Sequence, residues 1–109
     1  SSSTSTKQPK HLCPRFSLAQ LRKSTDKFDK SRKIGTGPYG SVTYGGCISI
    51  KGQLKDVVVK RIEHQSVMSP EGISMYKNDI LFMCQLHHPN LVSLVGFCDD
   101  HNEMIVVYD

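Results

Sequence analysis

The sequence contains no apolar run long enough to cross a lipid bilayer. Its longest uncharged apolar stretch covers residues 91–98, whereas a transmembrane helix needs roughly 20 such residues. No secretory signal is visible, and because the chain does not begin with methionine we expect it to be a piece of a longer protein. With 109 residues, 38% hydrophobic and 22% charged, the composition predicts one small globular domain.

Paired cysteines and clustered metal ligands are also missing from the sequence pattern. The four cysteines, Cys13, Cys47, Cys84 and Cys98, form no C-x-x-C motif, so reduced thiols are expected rather than a disulfide framework. A metal-ligand reading of Cys84 with the histidines at 87 and 88 lacks a second ligand pair at the spacing of a zinc site. No metal site is therefore predicted.

Charge is distributed unevenly along the chain. Residues 1–33 hold nine Lys or Arg against two Asp, and residues 34–109 hold five against eight acidic residues, so the two parts carry +7 and −3. A basic arm of this kind suits an anionic membrane surface or nucleic acid, or is simply a solvated, flexible tail. Nucleic acid is not expected as a partner, because no recognisable reading element accompanies the arm.

Composition and periodicity divide the chain into three parts. Residues 1–15 form a Ser/Thr-rich basic arm that is too polar to pack and is predicted to be disordered. Residues 16–31 hold a short helix from about 18 to 25, in which Ser17 and Gln20 match a capping box and Phe16 and Leu21 a hydrophobic staple. This helix is expected to pack on the domain that follows.

Residues 32–109 are predicted to form an α+β domain. Strands are expected over 32–37, 41–49 and 54–62, followed by a helix that begins with Ser69 as N-cap and Pro70 at its first position. Two further strands, over 90–98 and 102–109, complete the pattern. The order indicates a five-stranded antiparallel sheet with one helix packed on it.

The stretch KIGTGPYGSV places three glycines, Gly35, Gly37 and Gly40, in a G-x-G-x-x-G frame. Alone, this frame is a weak signal, because any glycine-rich hairpin can contain it. Lys60 follows twenty residues after Gly40, at the end of a β-branched run. If the glycine hairpin covers that strand, the ammonium group of Lys60 is placed to reach a nucleotide's phosphates.

Two further predictions complete this constellation. Alternate side chains of a strand share a face, so Val58 and Lys60 are expected to point the same way, and Val42 and Val58 to bracket a flat apolar ring. Asp79 lies nineteen residues after Lys60, on the predicted helix. Its carboxylate is expected to face the sheet and hold the Lys60 ammonium.

The runs FSLAQLRKSTDKFDKSRKIGTGPYGSV, VVVKRI and LHHPNLVSLVGFCDDHNEMIVVYD resemble plant receptor-like protein kinases, in particular the FERONIA-like, malectin-domain group. The resemblance covers residues 12–109. It implies a juxtamembrane helix followed by the amino-terminal lobe of a kinase domain, ending at the hinge. The nucleotide-binding residues that it implies are Ile34, Gly35, Gly37, Gly40, Val42, Val58, Lys60, Asp79 and the gatekeeper Tyr108.

The resemblance also implies an activity and a location. The complete protein would transfer the γ-phosphoryl group of ATP, with Mg²⁺, to Ser or Thr hydroxyls of protein substrates. It would act with signalling partners on the cytoplasmic side of the plasma membrane or in the cytoplasm, with the basic arm near the anionic membrane surface. The histidines and their neighbours at 87–90 match the loop that leaves the helix.

Several positions depart from the family pattern. Asp79 is one methylene shorter than the usual glutamate, Pro38 removes one N–H from the glycine loop, Val58 replaces an alanine and Thr43 a tyrosine. The H-R-D and D-F-G segments, which carry the catalytic aspartate and the Mg²⁺ ligands, do not occur in these 109 residues. No catalytic residue is therefore expected within the chain, which should be inactive alone. The alternative is a truncated or degenerate lobe that serves as a non-catalytic interaction module.

Overall fold

The computed structural model describes residues 14–85 and 94–109. Expectations about residues 1–13 and about the loop at 87–90 lie outside this range. The elements, in chain order, are α1 (Leu18–Ser24), β1 (Lys33–Gly37), β2 (Ser41–Ile50), β3 (Gln53–Ile62), α2 (Pro70–Gln85), β4 (Leu94–Cys98) and β5 (Ile105–Tyr108). The five strands form one antiparallel sheet in the order β1-β2-β3-β5-β4, which confirms the predicted fold class.

Helix α1 begins with the predicted capping box. The Ser17 hydroxyl accepts the Gln20 N–H at 3.1 Å, and the Gln20 side chain accepts the Ser17 N–H at 2.8 Å. The helix ends at Thr25, whose hydroxyl donates to the Leu21 carbonyl at 2.7 Å and accepts the Phe28 N–H at 3.0 Å. Residues 26–28 then take left-handed backbone angles, so the helix cannot continue.

The outer face of the sheet is covered by α1. Leu21 is 0% exposed and, with Phe16, joins a core cluster with the sheet residues Val57 and Val59. The close approach of α1 requires Gly46 of β2, where a Cβ atom would lie 3.0 Å from the Ser24 carbonyl oxygen. The predicted role of this helix, packing on the domain that follows it, is confirmed.

Strands β2 and β3 form a long hairpin with an unbroken register from the pair Ser41–Ile62 to the pair Ile50–Gln53. Lys51 and Gly52 form the two-residue turn, with φ angles of 52° and 79°. A type I′ turn needs positive φ at both positions, and its twist matches that of the strands it joins. This turn fixes which side chains of the two strands share a face.

Helix α2 begins as predicted, because the Ser69 hydroxyl accepts the Gly72 N–H at 3.0 Å. Its half-buried side chains are Ile73, Tyr76 and Ile80, and the helix contacts β4. Leu81 and Phe82 remain exposed, at 56% and 62%. Among the described residues, neither helix is long and apolar enough to span a membrane.

The chain ahead of α1 lies along the edge of β4. The Phe97 N–H donates to the Pro14 carbonyl at 3.1 Å, and the Phe16 N–H donates to the Phe97 carbonyl at 2.8 Å, forming a short parallel bridge. Gly96 leaves room for this crossing, because a Cβ atom there would collide with the Pro14 carbonyl oxygen and the Phe16 ring.

Candidate functional site

One row of residues crosses all five strands and contains Lys60. The register pairs Gly35 of β1 with Thr43, Thr43 with Lys60, Lys60 with Val106 and Val106 with Phe97. Cross-strand partners present their side chains on the same face of a sheet. Neighbouring strands lie about 5 Å apart, so the backbones of Gly35 and Lys60 are about 10 Å apart on that face. We call this the Lys60 face.

A second row of the Lys60 face supplies apolar surface. Val58 pairs with Tyr108, and Tyr108 pairs with Leu94. The predicted sharing of a face by Val58 and Lys60 is therefore confirmed. Burial raises the pKa of the Tyr108 hydroxyl, so this phenol is neutral at physiological pH and sits at the end of β5.

The glycine stretch forms a turn between β1 and β2. Residues 38–40 make one short helical turn in which Tyr39 and Gly40 have φ angles of 61° and 68°. The Glu63 N–H donates to the Gly40 carbonyl at 3.1 Å, and a Cβ atom on Gly40 would lie 2.8 Å from the His64 Cβ. Gly40 is thus required by both its backbone angle and its neighbour. Ile34, at an irregularity in β1, is 63% exposed.

Ser41 is a feature of the site that the sequence reading missed. It is 1% exposed, and its Oγ has no hydrogen-bond partner among the described residues. Ser41 pairs with Gly37 of β1, and a Cβ atom on Gly37 would lie 2.8 Å from that Oγ. A buried hydroxyl without a partner is costly, and this Oγ is covered by Gly37 rather than open to a ligand. The only sequence signal was its position directly after the third glycine.

The expected pairing of Val42 with Val58 around one ring is wrong. Val42 pairs with Arg61, whereas Val58 pairs with Gly45, so the two valines lie on opposite faces. Val42 is buried in the core cluster with Leu21. The physical reason is that side chains alternate between the two faces along a strand. The turn at Lys51 and Gly52 fixes the register of β2 and β3, and this register places the even-numbered residues of β2 on the face that α1 covers.

The expected contact between Asp79 and Lys60 is also absent from the described part of the chain. Asp79 is exposed on α2, and Lys60 lies within 4.0 Å of no described carboxylate, since the salt bridges there involve Arg15, Lys55 and Arg61 only. Helix α2 turns its Tyr76 and Ile80 stripe toward the sheet, which leaves Asp79 on the outer side. Lys60 is thus a half-buried residue whose ammonium group has no described carboxylate as a counter-ion.

A buried hydroxyl also lies where α2 meets the Lys60 face. The Tyr76 Oη has no hydrogen-bond partner among the described residues. Its pKa is raised, chiefly by burial and to a smaller degree by the neighbouring Tyr108.

On the opposite face, Arg61 joins β3 to its surroundings. Its Nε and Nη2 donate to the two carboxylate oxygens of Glu103, both at 2.9 Å, and its guanidinium stacks 4.4 Å from the Phe28 ring centroid. The hydrogen bond with Glu103 is the main reason that the pKa of Arg61 is raised. Tyr44 packs edge-on against Phe28 at 5.2 Å and donates its hydroxyl to Glu63. Segment 25–29 is thereby fixed to the strand that carries Lys60.

Comparisons with known proteins agree with this architecture. Residues 28–109 match the family described as protein tyrosine and serine/threonine kinase. Receptor-like protein kinase FERONIA of Arabidopsis thaliana is 39% identical over 93% of this chain, and receptor-like protein kinase HERK 1 of the same plant is 35% identical over 87%. The chain spans 11% of the length of each of these relatives.

A solved structure of similar fold is that of an apo pseudokinase. It superimposes with a TM-score of 0.72 over 89% of this chain and 34% of its own, at 22% sequence identity. At this level of identity the likeness concerns the fold. The sheet with its packed helix is that of the amino-terminal lobe of a kinase domain.

Proposed function

Because the chain belongs to the protein tyrosine and serine/threonine kinase family, we propose that it is the nucleotide-binding part of a receptor-like serine/threonine kinase. The single observation that supports this most is Lys60, a half-buried residue that lacks a described counter-ion and lies in one row with Gly35. An ammonium group without a carboxylate partner attracts anions. ATP phosphates are the anions that this family uses.

The residues present fit the phosphate end of ATP better than the adenine end. The row from Gly35 to Lys60 and the turn at Gly40 provide one cation and close backbone approach. Of the residues expected around adenine, Val58 and Tyr108 lie on the Lys60 face, but Val42 lies on the opposite face of the sheet. We therefore assign phosphate binding to Lys60.

In the complete protein, ATP would supply the γ-phosphoryl group for transfer to protein Ser or Thr hydroxyls, and Mg²⁺ would offset phosphate charge. Lys60 would orient the phosphates. Within residues 14–85 and 94–109, no group of three or more His, Cys, Asp or Glu side chains is placed to hold a metal ion. By analogy with its receptor-like relatives, we place the chain on the cytoplasmic side of the plasma membrane, acting on protein substrates and signalling partners.

The test compares Lys60→Ala with Lys55→Ala, two substitutions of the same residue type in the same strand. Lys55 pairs with Ile48 on the α1 side of the register, so it is a matched control that does not belong to the Lys60 face. We expect ATP to shift the backbone amide resonances of Gly35, Gly37 and Ser41 in the 109-residue chain. Lys60→Ala should abolish these shifts, and Lys55→Ala should retain them.

Equal ATP affinity in both variants, or no shift in the glycine turn of the unchanged chain, would contradict the assignment. Circular dichroism of both variants must first show the same folded content, so that loss of binding is not loss of fold.

A second candidate, a non-catalytic interaction module, is favoured by the outward position of Asp79. Without its carboxylate, the Lys60 site lacks the orienting partner that the family uses, and Leu81 and Phe82 leave apolar surface exposed on α2. This candidate predicts that Asp79→Asn leaves ATP binding unchanged. The enzymatic reading predicts weaker binding in a version of the protein that extends through a complete kinase domain.

A further inference from the structure

A group of cations on and after α1 forms no ion pair within 4.0 Å with the described residues. Arg22 and Lys23 occupy the last turn of the helix, and Lys27, Lys30 and Arg32 follow it; we call these five residues the α1 basic surface. All five are exposed. In the described part of the chain, none of them lies within 4.0 Å of a carboxylate oxygen, whereas Arg15, Lys55 and Arg61 do.

The fold holds the α1 basic surface in a fixed orientation. Leu21 and Thr25 are 0% exposed against the sheet, and the Leu18 N–H donates to the Asp100 carboxylate at 2.9 Å. The basic side chains therefore point away from the sheet. An open hollow of about 590 Å³ lies among Leu18, Ala19, Arg22, Lys23, Asp26, Lys27 and His101, so three cations outnumber the one carboxylate that lines it.

We propose that the α1 basic surface docks on a bilayer that carries anionic lipids, with phosphate-bearing head groups among Arg22, Lys23 and Lys27. Cations held close to such a surface are attracted by its negative potential. The neighbouring Leu18 and Ala19 suit the boundary between head groups and acyl chains. The hollow contains no Phe, Tyr or Trp side chain, and its one aromatic ring is the His101 imidazole, so it offers little surface on which successive bases could stack.

This docking mode has an orientational consequence. Helix α1 covers the face of the sheet that bears Val57 and Val59, and Lys60 lies on the other face. A chain docked through α1 would turn the Lys60 face away from the bilayer and leave it open to solvent. The inference takes from the proposed function only a location beside a membrane, and it does not depend on ATP binding.

The test measures partitioning of the 109-residue chain onto vesicles by sedimentation. One set consists of phosphatidylcholine alone, and the other of equal parts phosphatidylcholine and phosphatidylserine. Each Lys or Arg near an anionic surface contributes about fivefold to partitioning. The triple variant Arg22→Gln, Lys23→Gln, Lys27→Gln should therefore bind the phosphatidylserine vesicles about a hundredfold more weakly.

The matched control is Lys51→Gln, Lys55→Gln, Lys77→Gln, which removes the same charge outside the α1 basic surface. We expect it to bind within about fivefold of the unchanged chain, and binding of the unchanged chain should disappear near 1 M salt, where the screening length is about 3 Å. Equal losses in the two triple variants would mean that only net charge matters, and would overturn the proposal.

Three further outcomes would also overturn it. They are equal binding to both vesicle types, competition by free phosphoserine at concentrations that leave the vesicles intact, and tighter binding to single-stranded RNA than to the vesicles at the same ionic strength. Retained ATP-induced shifts in the α1 variant would show that the Lys60 site is intact. Failure of docking and failure of nucleotide binding are thus separate results.

Discussion

Arg61 offers the sharpest test of how the segment before the sheet stabilises the sheet. Replacing Arg61 by methionine keeps an apolar stem of similar length and removes the guanidinium. That group donates two hydrogen bonds of 2.9 Å to Glu103 and stacks 4.4 Å from the Phe28 ring. The substitution leaves the Glu103 carboxylate, whose side chain is only 17% exposed, without its main partner.

The expected loss of unfolding free energy is about 3 kcal/mol. Charge-assisted hydrogen bonds of this kind contribute about 1.5–3 kcal/mol, and an exposed cation–π contact about 0.5–1 kcal/mol. The upper ends of these ranges are not reached, because the Arg61 side chain is 27% exposed and water screens part of the interaction. For a domain of this size, about 3 kcal/mol lowers Tm by about 13 °C.

The assay is urea unfolding of the 109-residue chain, with Arg15→Met as the matched control. Arg15 has the same two kinds of partner, the Asp99 carboxylate at 3.3 Å and the Phe97 ring at 5.4 Å, but its side chain is 63% exposed. Replacing Arg15 by methionine should lower the free energy of unfolding by less than about 1 kcal/mol. The double variant Arg61→Met, Glu103→Met should recover much of the loss, since it removes the unpaired Glu103 carboxylate and leaves only Glu63, 3.6 Å from Arg61 Nη1, without its cation.

A loss below about 0.5 kcal/mol for Arg61→Met, or equal losses for Arg61→Met and Arg15→Met, would refute this reasoning. The bidentate geometry would then be present in the structure without contributing to folding.

Two further predictions concern packing and pH. Gly96→Ala should lower the free energy of unfolding in urea by about 2 kcal/mol, because the new Cβ atom would overlap the Phe16 ring. The control Gly35→Ala, with nothing within 4 Å of its Cβ atom, should cost less than half of that. Equal losses in the two variants would contradict the crowding at Gly96. Burial and the hydrogen bond to Glu63 raise the pKa of Tyr44 from 10.0 to about 12, so its neutral form is favoured by folding. The contribution of this raised pKa to the free energy of unfolding is fully present below pH 10 and is lost as pH rises toward about 12. Tyr44→Phe should therefore make the free energy of unfolding depend less on pH between these values. An unchanged pH dependence in this variant would refute the role given to Tyr44.

Local features of the fold could be predicted because they depend on neighbours in the chain. The capping box at Ser17 needs only Gln20, three residues away, and the N-cap at Ser69 needs only the next turn. The sharing of a face by Val58 and Lys60 follows from the period of two within one strand. The kinase-like order of strands and helix follows from the same short-range patterns.

The candidate site was predicted only in part, because its remaining geometry depends on long-range choices. The face on which Val42 lies is decided by the turn at Lys51 and Gly52, since a shift of one residue in the register would reverse it. The direction of Asp79 is decided by which stripe of α2 meets β4. The buried Ser41 hydroxyl became visible only when β1 was placed beside β2.

The sequence by itself determined the elements, their order, the cationic character of the first third and the position of Lys60 within its strand, because these properties follow from composition, periodicity and capping chemistry. Only the tertiary structure decided that Lys60 stands without a described counter-ion, that Val42 lies in the α1 core and that the α1 cations face away from the Lys60 face. These features depend on register and helix rotation, which contacts between residues distant in the chain select.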